Sequence, residues 1–236
     1  MPIVKSQVRR CEAVNEFVYL VDIELPEPIE FIAGQYLTVA MAADDLRPFS
    51  IASSPHVGGN AHVQLHIGAS PDNPYAWQVI ERIRAEGELT LHIPAGDAGY
   101  RSDSERPLLL VAGGTGFSYT WSILKAHLAS SSTRSLTLYW GVRKDNDLYM
   151  HQELCQLAEQ HAHFTYIPVI ENMPTPAIRN GVAGTLIPAV LNSGLVLADY
   201  DVYIAGRFAM VGVARDAFSK AGLPKSQLFG DALAFI

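Results

Sequence analysis

The sequence predicts a six-stranded antiparallel β-barrel domain followed by a doubly wound parallel-sheet α/β domain. In the first hundred residues, short apolar runs are separated by Gly, Pro, Asn and Asp, which is typical of antiparallel strands joined by turns. After Gly96 the rhythm changes, and strand-like runs alternate with helix-like segments of about ten residues, as in a parallel sheet covered on both faces. We therefore expect domains over residues 1–100 and 101–236.

Six strands and one helix are predicted in the first domain. The strands are Ile3–Arg10, Phe17–Glu24, Tyr36–Met41, Phe49–Ala52, His62–Ile67 and Leu89–Ile93. The breakers between them are Pro26-Glu27-Pro28, Ala33-Gly34-Gln35, His56 to Asn60 and Gly87-Glu88. A helix is expected over Tyr75–Ala85, with Asp72 or Asn73 as its cap and Pro74 near its first turn.

The second domain begins after a polar linker, Arg101 to Pro107. Leu108–Ala112 is a continuous apolar run, which predicts a strand buried on both faces. The segments that follow are Ser118–Ala129, Leu136–Gly141, His151–His161, Phe164–Ile170, Thr185–Asn192, Val202–Ala205, Ala209–Ala221 and a short Leu228–Gly230. Strands that alternate with helices in this way predict a parallel sheet.

Composition and charge exclude several classes of protein. Hydrophobic residues make up 49% and charged residues 17% of the chain, which excludes long disorder. The formal net charge of −7 argues against nucleic-acid binding, which needs clustered Lys and Arg. Two cysteines, Cys11 and Cys155, are too few for an iron–sulfur cluster with four Cys ligands, and we expect unpaired thiols in a reducing compartment.

Metal and membrane sites are not expected either. The His161-x-His163 pair and the pair His62 and His66 have no third ligand at metal-binding spacing. No apolar run approaches the ~20 residues of a membrane span, and the first residues lack the apolar stretch of a signal peptide. These features predict a cytoplasmic protein.

The strongest local signal is Gly113-Gly114-Thr115-Gly116-Phe117, between an apolar strand and a helix. Glycines there permit tight turns and close approach of a pyrophosphate, and the helix N-terminus attracts an anion. Such a turn also occurs as a purely structural feature. Its place after the first strand of an α/β domain favours nucleotide binding.

A second signal is Arg47-Pro48-Phe49-Ser50, at the predicted entry to a barrel strand. A cation, an aromatic ring and a hydroxyl in this order suit a flavin, offering partners for its phosphate, its ring and the ring nitrogen that accepts hydride. The chemistry alone favours the simpler interpretation, a strand that begins at an exposed arginine.

Taken in order, these motifs resemble the ferredoxin–NADP reductase superfamily. They are Gly34-Gln35-Tyr36, Arg47-Pro48-Phe49-Ser50, Gly87-Glu88 with Pro94-Ala95-Gly96, Gly113-Gly114-Thr115-Gly116, and Val202-Tyr203-Ile204-Ala205-Gly206-Arg207. The runs His66-Ile67-Gly68-Ala69-Ser70 and Leu228–Ile236 are similar to one branch of it, the NAD(P)H:flavin oxidoreductases of enteric bacteria and their relatives in luminous bacteria. The resemblance spans nearly the whole chain.

The resemblance implies a flavin site in the first domain. Arg47 would lie near the flavin phosphate or ribityl end, Phe49 would contact the isoalloxazine or ribityl chain, and Ser50 would hydrogen-bond flavin N5. Pro48 and Tyr36 complete this predicted site, in which Ser50 is the catalytic residue.

The resemblance also implies a site for NADH or NADPH in the second domain. The turn from Gly113 to Phe117, with Thr115, would hold the nucleotide together with Gly206 and Arg207. Arg143 falls where the family contacts the adenosine ribose or its 2′-phosphate. One arginine there is compatible with either nucleotide.

Two departures from the superfamily pattern stand out. Members that retain FAD carry a Gly-Gly-x-x-Ser-type turn before the barrel helix, whereas this chain has Ser70 to Ala76 with the carboxylate of Asp72. We expect weak binding, with FMN, FAD or riboflavin exchanging as a substrate. Ala205 stands where many relatives have a cysteine beside the nicotinamide, so thiol assistance is not expected.

Three functions can be considered for a protein with these motifs. The first is an NAD(P)H-dependent enzyme that releases reduced flavin, with a luciferase, a two-component monooxygenase or free iron as recipient. The second is a module that retains its flavin and reduces a protein partner or ferric chelates. The third, a non-catalytic nucleotide-binding regulator, would leave Arg47, Phe49 and Ser50 without a purpose. The sequence favours the first.

Overall fold

In the computed structural model, which describes residues 1–56, 59–174 and 177–236, the chain divides into two units. The first holds Met1–Tyr100 and Trp121–Ala126, and the second holds Arg101–Thr120 and His127–Ile236. A helix segment from the later part of the chain thus groups with the first hundred residues. Within that unit, the Ser122 hydroxyl donates a 2.8 Å hydrogen bond to the Ser53 carbonyl.

A six-stranded antiparallel sheet forms the first unit, as predicted. Its strands are β1 (Ile3–Ala13), β2 (Val18–Ile29), β3 (Tyr36–Ala42), β4 (Asp45–Ser50), β5 (Asn60–Gly68) and β6 (Glu88–Ala95), in the order β4-β3-β6-β1-β2-β5. An antiparallel bridge between Ile51 and Leu65 joins the two edges of the sheet, and the Ala52 N–H donates to the Gln64 carbonyl beside it. The sheet therefore closes into the expected barrel.

Two barrel strands pass through prolines that sequence reasoning treated as boundaries. β2 continues through Pro26 and Pro28, because β1 pairs with it no further than Glu24 and its ladder with β5 is interrupted there. β4 begins at Asp45 rather than Phe49 and contains Pro48, which an edge strand tolerates because one side of its backbone needs no ladder hydrogen bond. The predicted turn at His56 to Asn60 lies partly outside the described residues.

The barrel core is completed by helix α1 (Pro74–Glu86), which begins one residue before the predicted start. Its apolar side chains at helical spacing join the buried cluster formed by the strands; they are Ala76, Val79, Ile80 and Ile83. Asn73 occupies the N-cap position without a side-chain cap bond, and Pro74 stands in the first turn. Gly87 ends the helix in the left-handed conformation and donates its N–H to the Ile83 carbonyl.

The second unit contains a six-stranded parallel sheet, which confirms the predicted α/β architecture. Its strands are β7 (Leu108–Gly113), β8 (Leu136–Val142), β9 (Phe164–Ile170), β10 (Val182–Ala183), β11 (Asp201–Ala205) and β12 (Leu228–Phe229). The helices are α2 (Phe117–Ala129), α3 (His151–Gln160), α4 (Leu186–Leu191) and α5 (Phe208–Lys220). The edge strand β10 was not predicted, because its two residues form no apolar run and only their pairing with β9 defines a strand.

The strand order β10-β9-β8-β7-β11-β12 places β7 at the point where the chain changes direction across the sheet. From β7 the chain builds outward through β8, β9 and β10, and it then returns to add β11 and β12 on the other side. In open parallel sheets, the carboxyl ends of the two strands at such a reversal border the ligand crevice. Here those strands are β7 and β11.

No helix of the described residues is long and apolar enough to cross a membrane.

One buried polar group in the barrel depends on staying uncharged. His66, on β5, is 4% exposed, and its Nε2 lies 3.1 Å from the Gln64 side-chain oxygen, while the Gln64 amide donates a 2.7 Å hydrogen bond to Asp22. Burial, and the nearby Lys125 ammonium, lower the pKa of His66 to about 3. The folded protein therefore keeps this imidazole neutral under ordinary conditions.

This arrangement predicts a loss of stability in mild acid. In the unfolded chain the imidazole binds a proton below about pH 6.5, whereas in the folded chain it does so only near pH 3, so stability falls as pH drops between these values. We expect His66→Gln to lower the slope of the free energy of unfolding against pH by up to about 1.4 kcal/mol per unit in this window. Urea unfolding from pH 4.5 to 7.5 measures it. His62→Gln, at an exposed position on the same strand, should keep the native slope. Equal slopes for the native protein and His66→Gln would contradict the assignment.

Candidate functional site

The β3–β4 hairpin carries all the predicted flavin-site residues of the first unit. Across it, Tyr36 pairs with Ser50 and Val39 pairs with Arg47. Because side chains alternate along a strand, Ser50 and Pro48 share one face of the hairpin with Tyr36, while Arg47 and Phe49 lie on the other. The sequence motif therefore divides between two faces.

Ser50 and Tyr36 have side chains available for a ligand. Both are half-buried, and neither hydroxyl forms a hydrogen bond with another described residue. Gln35, just before β3, holds this end of the hairpin. Its side-chain amide donates 3.0 Å to the Gly96 carbonyl, and its own carbonyl accepts a 3.0 Å bond from the Ile51 N–H, next to Ser50.

Arg47 is placed differently from the expectation of an exposed cation. It is 7% exposed, and its guanidinium donates to the Asp45 carboxylate, to the Gln78 side-chain oxygen and to the Tyr75 carbonyl. The Tyr75 ring also lies 4.8 Å from its centre. Arg47 therefore links helix α1 to the β3–β4 hairpin by hydrogen bonds.

Phe49, on the same face as Arg47, is half-buried and packs against the barrel core. Its ring is therefore partly occupied by the interior of the barrel, and only its remaining surface is open to a ligand.

The start of α1 lacks the glycines of the flavin-retaining pattern. Asp72 is exposed, and the Asn73 N–H donates 2.9 Å to the Ser70 carbonyl within a tight turn. The negative charge of Asp72 thus stands beside the helix N-terminus without acting as its cap.

In the second unit, the glycine turn lies at the carboxyl end of β7. The strand ends at Gly113, a short 3₁₀ turn covers Gly114–Gly116, and α2 begins at Phe117. Gly114 has φ +55°, which favours glycine. A Cβ on Gly116 would lie 2.5 Å from the carbonyl carbon and oxygen of Ala205, so only glycine fits against the end of β11.

Three aromatic side chains that pack on one another support this turn. The Trp140 indole N–H donates a 2.9 Å hydrogen bond to the Gly114 carbonyl, and its ring stacks on Phe117 at 4.0 Å. Tyr149 packs edge-on against both rings. Phe117 is fully buried, so its side chain supports the turn and offers no surface to a nucleotide. The hydroxyl of Thr115, in contrast, has no partner among the described residues.

The remaining predicted residues lie at the same edge of the sheet. Gly206 follows β11 with φ +156°, and the Met210 thioether fills the space in which a Cβ on either Gly113 or Gly206 would lie. Arg207 precedes α5, and Arg143 follows β8 directly; both are exposed, and neither side chain has a partner in the described part of the chain.

This edge can hold a phosphorylated ligand. Helical structure begins at Gly114, where the 3₁₀ turn leads directly into α2, and the dipole of this segment favours an anion at its start. The Phe117 N–H itself already donates to the Gly114 carbonyl. Glycine turns at β7 and β11 leave room for close approach, and two exposed arginines supply positive charge.

Sequence reasoning missed two contributors to these sites. Asp45 was not among the predicted site residues, although its position two residues before Arg47 on one strand places both side chains on the same face. Met210 carried no signal, since its role depends on two glycines distant in sequence. No group of three or more His, Cys, Asp or Glu that could hold a metal ion occurs among residues 1–56, 59–174 and 177–236.

Known proteins are similar to this chain in both sequence and fold. Residues 110–216 match the oxidoreductase NAD-binding domain family. In fold, the chain is similar to the Amycolatopsis cytochrome P450 reductase GcoB, with a TM-score of 0.86 at 23% identity, over 98% of this chain and 69% of that one.

Two curated relatives are similar over their full length. An NAD(P)H-flavin reductase of Vibrio harveyi is 42% identical over 240 residues, 99% of each chain. An NAD(P)H-flavin reductase of Aliivibrio fischeri is 45% identical over 231 residues, 95% of this chain and 94% of the relative. Identity at this level over both whole chains shows that the protein belongs to the NAD(P)H-flavin reductase family.

Proposed function

We propose that this protein transfers hydride from NADH or NADPH to a weakly bound, exchangeable flavin and releases the reduced flavin. The observation that carries the proposal is the full-length similarity to two relatives named NAD(P)H-flavin reductase. A hairpin with a free hydroxyl at Ser50 and a glycine turn at a strand-order reversal support it.

The proposed flavin site is the face of the β3–β4 hairpin that carries Ser50, Pro48 and Tyr36. The Ser50 hydroxyl would hydrogen-bond flavin N5, because it is half-buried and has no hydrogen-bond partner among the described residues. Phe49 would contact the flavin at the hairpin edge. Arg47 would lie toward the ribityl or phosphate end, where it orders the start of α1.

The proposed nucleotide site is the edge formed by the ends of β7, β8 and β11. Backbone groups of Gly113, Gly114 and Gly116, with the Thr115 hydroxyl, would hold the pyrophosphate. Gly206 and Arg207 would border it, with Phe117 as buried support. Arg143 would contact the adenosine ribose, and its positive charge also suits a 2′-phosphate.

Little acid–base catalysis is required of the protein. With both substrates bound, the nicotinamide would supply hydride to flavin N5, a transfer that requires close approach of the two rings, within about 3–3.5 Å. Holding the two rings in that geometry is the main contribution expected of the residues named above. Ser50 would orient N5 by a hydrogen bond from its hydroxyl.

Weak flavin binding follows from two features of the barrel. The positive charge of Arg47 is already paired with Asp45, and no glycine-rich turn precedes α1 to receive a pyrophosphate. The alternative, a module that retains its flavin and passes electrons to a protein partner or ferric chelates, would need tighter contacts at this point.

Released reduced flavin requires a recipient, and we take a flavin-dependent monooxygenase or luciferase to be that recipient. A cytoplasmic location fits this proposal, because nicotinamide nucleotides are substrates of the cell interior. Both cysteines, Cys11 and Cys155, are free thiols.

The exchange of flavin predicts the properties of the purified protein. It should be colourless after gel filtration, with far less than one flavin per chain, and should oxidise NADH or NADPH only when FMN, riboflavin or FAD is added. Absorbance at 450 nm measures bound flavin, and absorbance at 340 nm measures turnover. A yellow protein with stoichiometric flavin would support the electron-transfer alternative instead.

Replacement of Ser50 tests the proposed contact with N5. We expect Ser50→Ala to slow hydride transfer roughly ten- to a hundredfold, the effect of losing one hydrogen bond to a polar reacting group, while the Kd for NADPH changes far less. Single-turnover absorbance measurements separate the two quantities. Ser131→Ala, at an exposed loop position, is the matched control. Unchanged hydride transfer in Ser50→Ala would exclude the N5 role.

Replacement of Gly116 tests the nucleotide turn. A methyl group there meets the backbone of Ala205 at 2.5 Å and cannot be accommodated by a side-chain rotation, so Gly116→Ala should destabilise the protein by about 1–3 kcal/mol and weaken NAD(P)H binding. Thermal unfolding and equilibrium titration measure the two effects.

The matched control is Gly212→Ala on α5, where a Cβ has ordinary contact with Ile236 and helix propensity improves. This variant should retain binding and gain stability. Equal nucleotide affinity in the two variants would show that the turn does not hold the nucleotide.

A further inference from the structure

We propose that Asp45 determines which flavin the protein prefers: its carboxylate occupies Arg47, so a flavin phosphate gains no attraction there and phosphate-free riboflavin binds at least as tightly as FMN. This inference rests on the proposed function and adds to it a specificity-determining residue. Nothing in the sequence motif indicated it, because Arg47 alone predicts the opposite preference.

The ion pair is formed on one face of β4. Asp45 and Arg47 are two residues apart on the strand, so their side chains lie side by side. The Arg47 Nε lies 2.9 Å from Oδ1 of Asp45, and Nη2 lies 2.6 Å from Oδ2. Both nitrogens on one edge of the guanidinium therefore contact the carboxylate, which is the paired geometry that a phosphate would otherwise use.

The rest of the guanidinium is also engaged. Nη2 donates a second hydrogen bond, of 2.8 Å, to the Gln78 side chain, and Nη1 donates to the Tyr75 carbonyl. An arginine has five N–H donors, so at most one of them is left for an incoming ligand. The Tyr75 ring covers the group, and Arg47 as a whole is 7% exposed.

The carboxylate, in contrast, remains in contact with solvent. Solvent reaches 37% of the Asp45 side chain, against 9% of the Arg47 side chain. The hydrogen bond from Arg47 lowers the pKa of Asp45, so it stays ionised through neutral and mildly acidic pH. A phosphate that approaches Arg47 therefore meets a negative charge first.

A second carboxylate acts in the same direction. Asp72 is exposed just before α1, the helix whose first turn contains Tyr75, one of the partners of Arg47. A flavin phosphate near this helix start must either displace Asp45 from Arg47 or remain beside uncompensated negative charge. Riboflavin has no phosphate, so it binds without displacing Asp45 and without placing a phosphate beside negative charge.

The experiment compares Asp45→Asn with Asp44→Asn. Each variant removes one negative charge, and the two positions are adjacent in the sequence. Asp44, however, is exposed and has no bonded partner among the described residues. The Kd of oxidised riboflavin and of oxidised FMN is measured by quenching of flavin fluorescence, so that no turnover is needed. The values of kcat/KM with NADH are measured in parallel.

In Asp45→Asn, we expect the preference for FMN over riboflavin to rise about tenfold relative to the native protein, the lower range for one hydrogen bond to a charged group. The FMN affinity of this variant should fall between about 50 and about 500 mM salt, because salt screens the new ionic contact between the phosphate and Arg47, while its riboflavin affinity should not. Asp44→Asn should leave the preference where it is in the native protein. The additional change Arg47→Gln should abolish the gain.

Three results would overturn the inference. The first is an unchanged preference in Asp45→Asn, the second is an equal change in Asp44→Asn, and the third is a native protein that binds FMN much more tightly than riboflavin in a salt-dependent manner. The third needs no variant and applies even if Asp45→Asn fails to fold. Native turnover with added riboflavin tests the proposed function separately, so the two can fail independently.

Discussion

The second unit depends on the absence of a side chain between the ends of β7 and β11. At this point the backbone of Gly116 approaches Ala205 and Gly206 so closely that a single methyl group would overlap them. This contact allows the turn to fold back over the sheet edge and to direct the start of α2 at the crevice. The placement of the proposed nucleotide turn therefore follows from a packing constraint.

In the first unit, the alternation of side chains along β4 has a comparable role. One face of the strand presents Pro48 and Ser50 with Tyr36 of the neighbouring strand, while the other joins Arg47 to the core and to α1. Gln35 holds the end of this hairpin through four hydrogen bonds, two with Ile32 and one each with Gly96 and Ile51. The motif from Arg47 to Ser50 thus contributes both a hydroxyl that is available to a ligand and an arginine that links the hairpin to α1.

The architecture could be predicted because each of its signals is local. Alternation and turn residues identify the barrel strands, and the apolar run at Leu108–Ala112 identifies the first buried parallel strand. The prediction failed where pairing with distant parts of the chain, rather than the local sequence, determines the strand. Pro26 and Pro48 are tolerated because their positions need no ladder hydrogen bond, and β10 exists only through its pairing with β9.

The site could be predicted only in part, for a related reason. Motifs lead to proposals of residues whose backbone or hydroxyl contacts a ligand, such as Gly116 and Ser50, but they carry no information on whether a charge is already neutralised. Arg47 looked like an available cation because the sequence does not reveal that Asp45, Gln78 and Tyr75 converge on it. Phe117 looked like a contact residue, although its side chain is wholly internal.

The division of β4 into two faces also has an evolutionary consequence. The group proposed to assist hydride transfer and the group proposed to select the flavin share one strand but point in opposite directions, so a change in one need not disturb the other. A descendant could acquire a new substrate preference by a single replacement in the hairpin and keep its chemistry intact. Flavin preference and hydride transfer can then change independently in evolution, although both depend on the same six-residue strand.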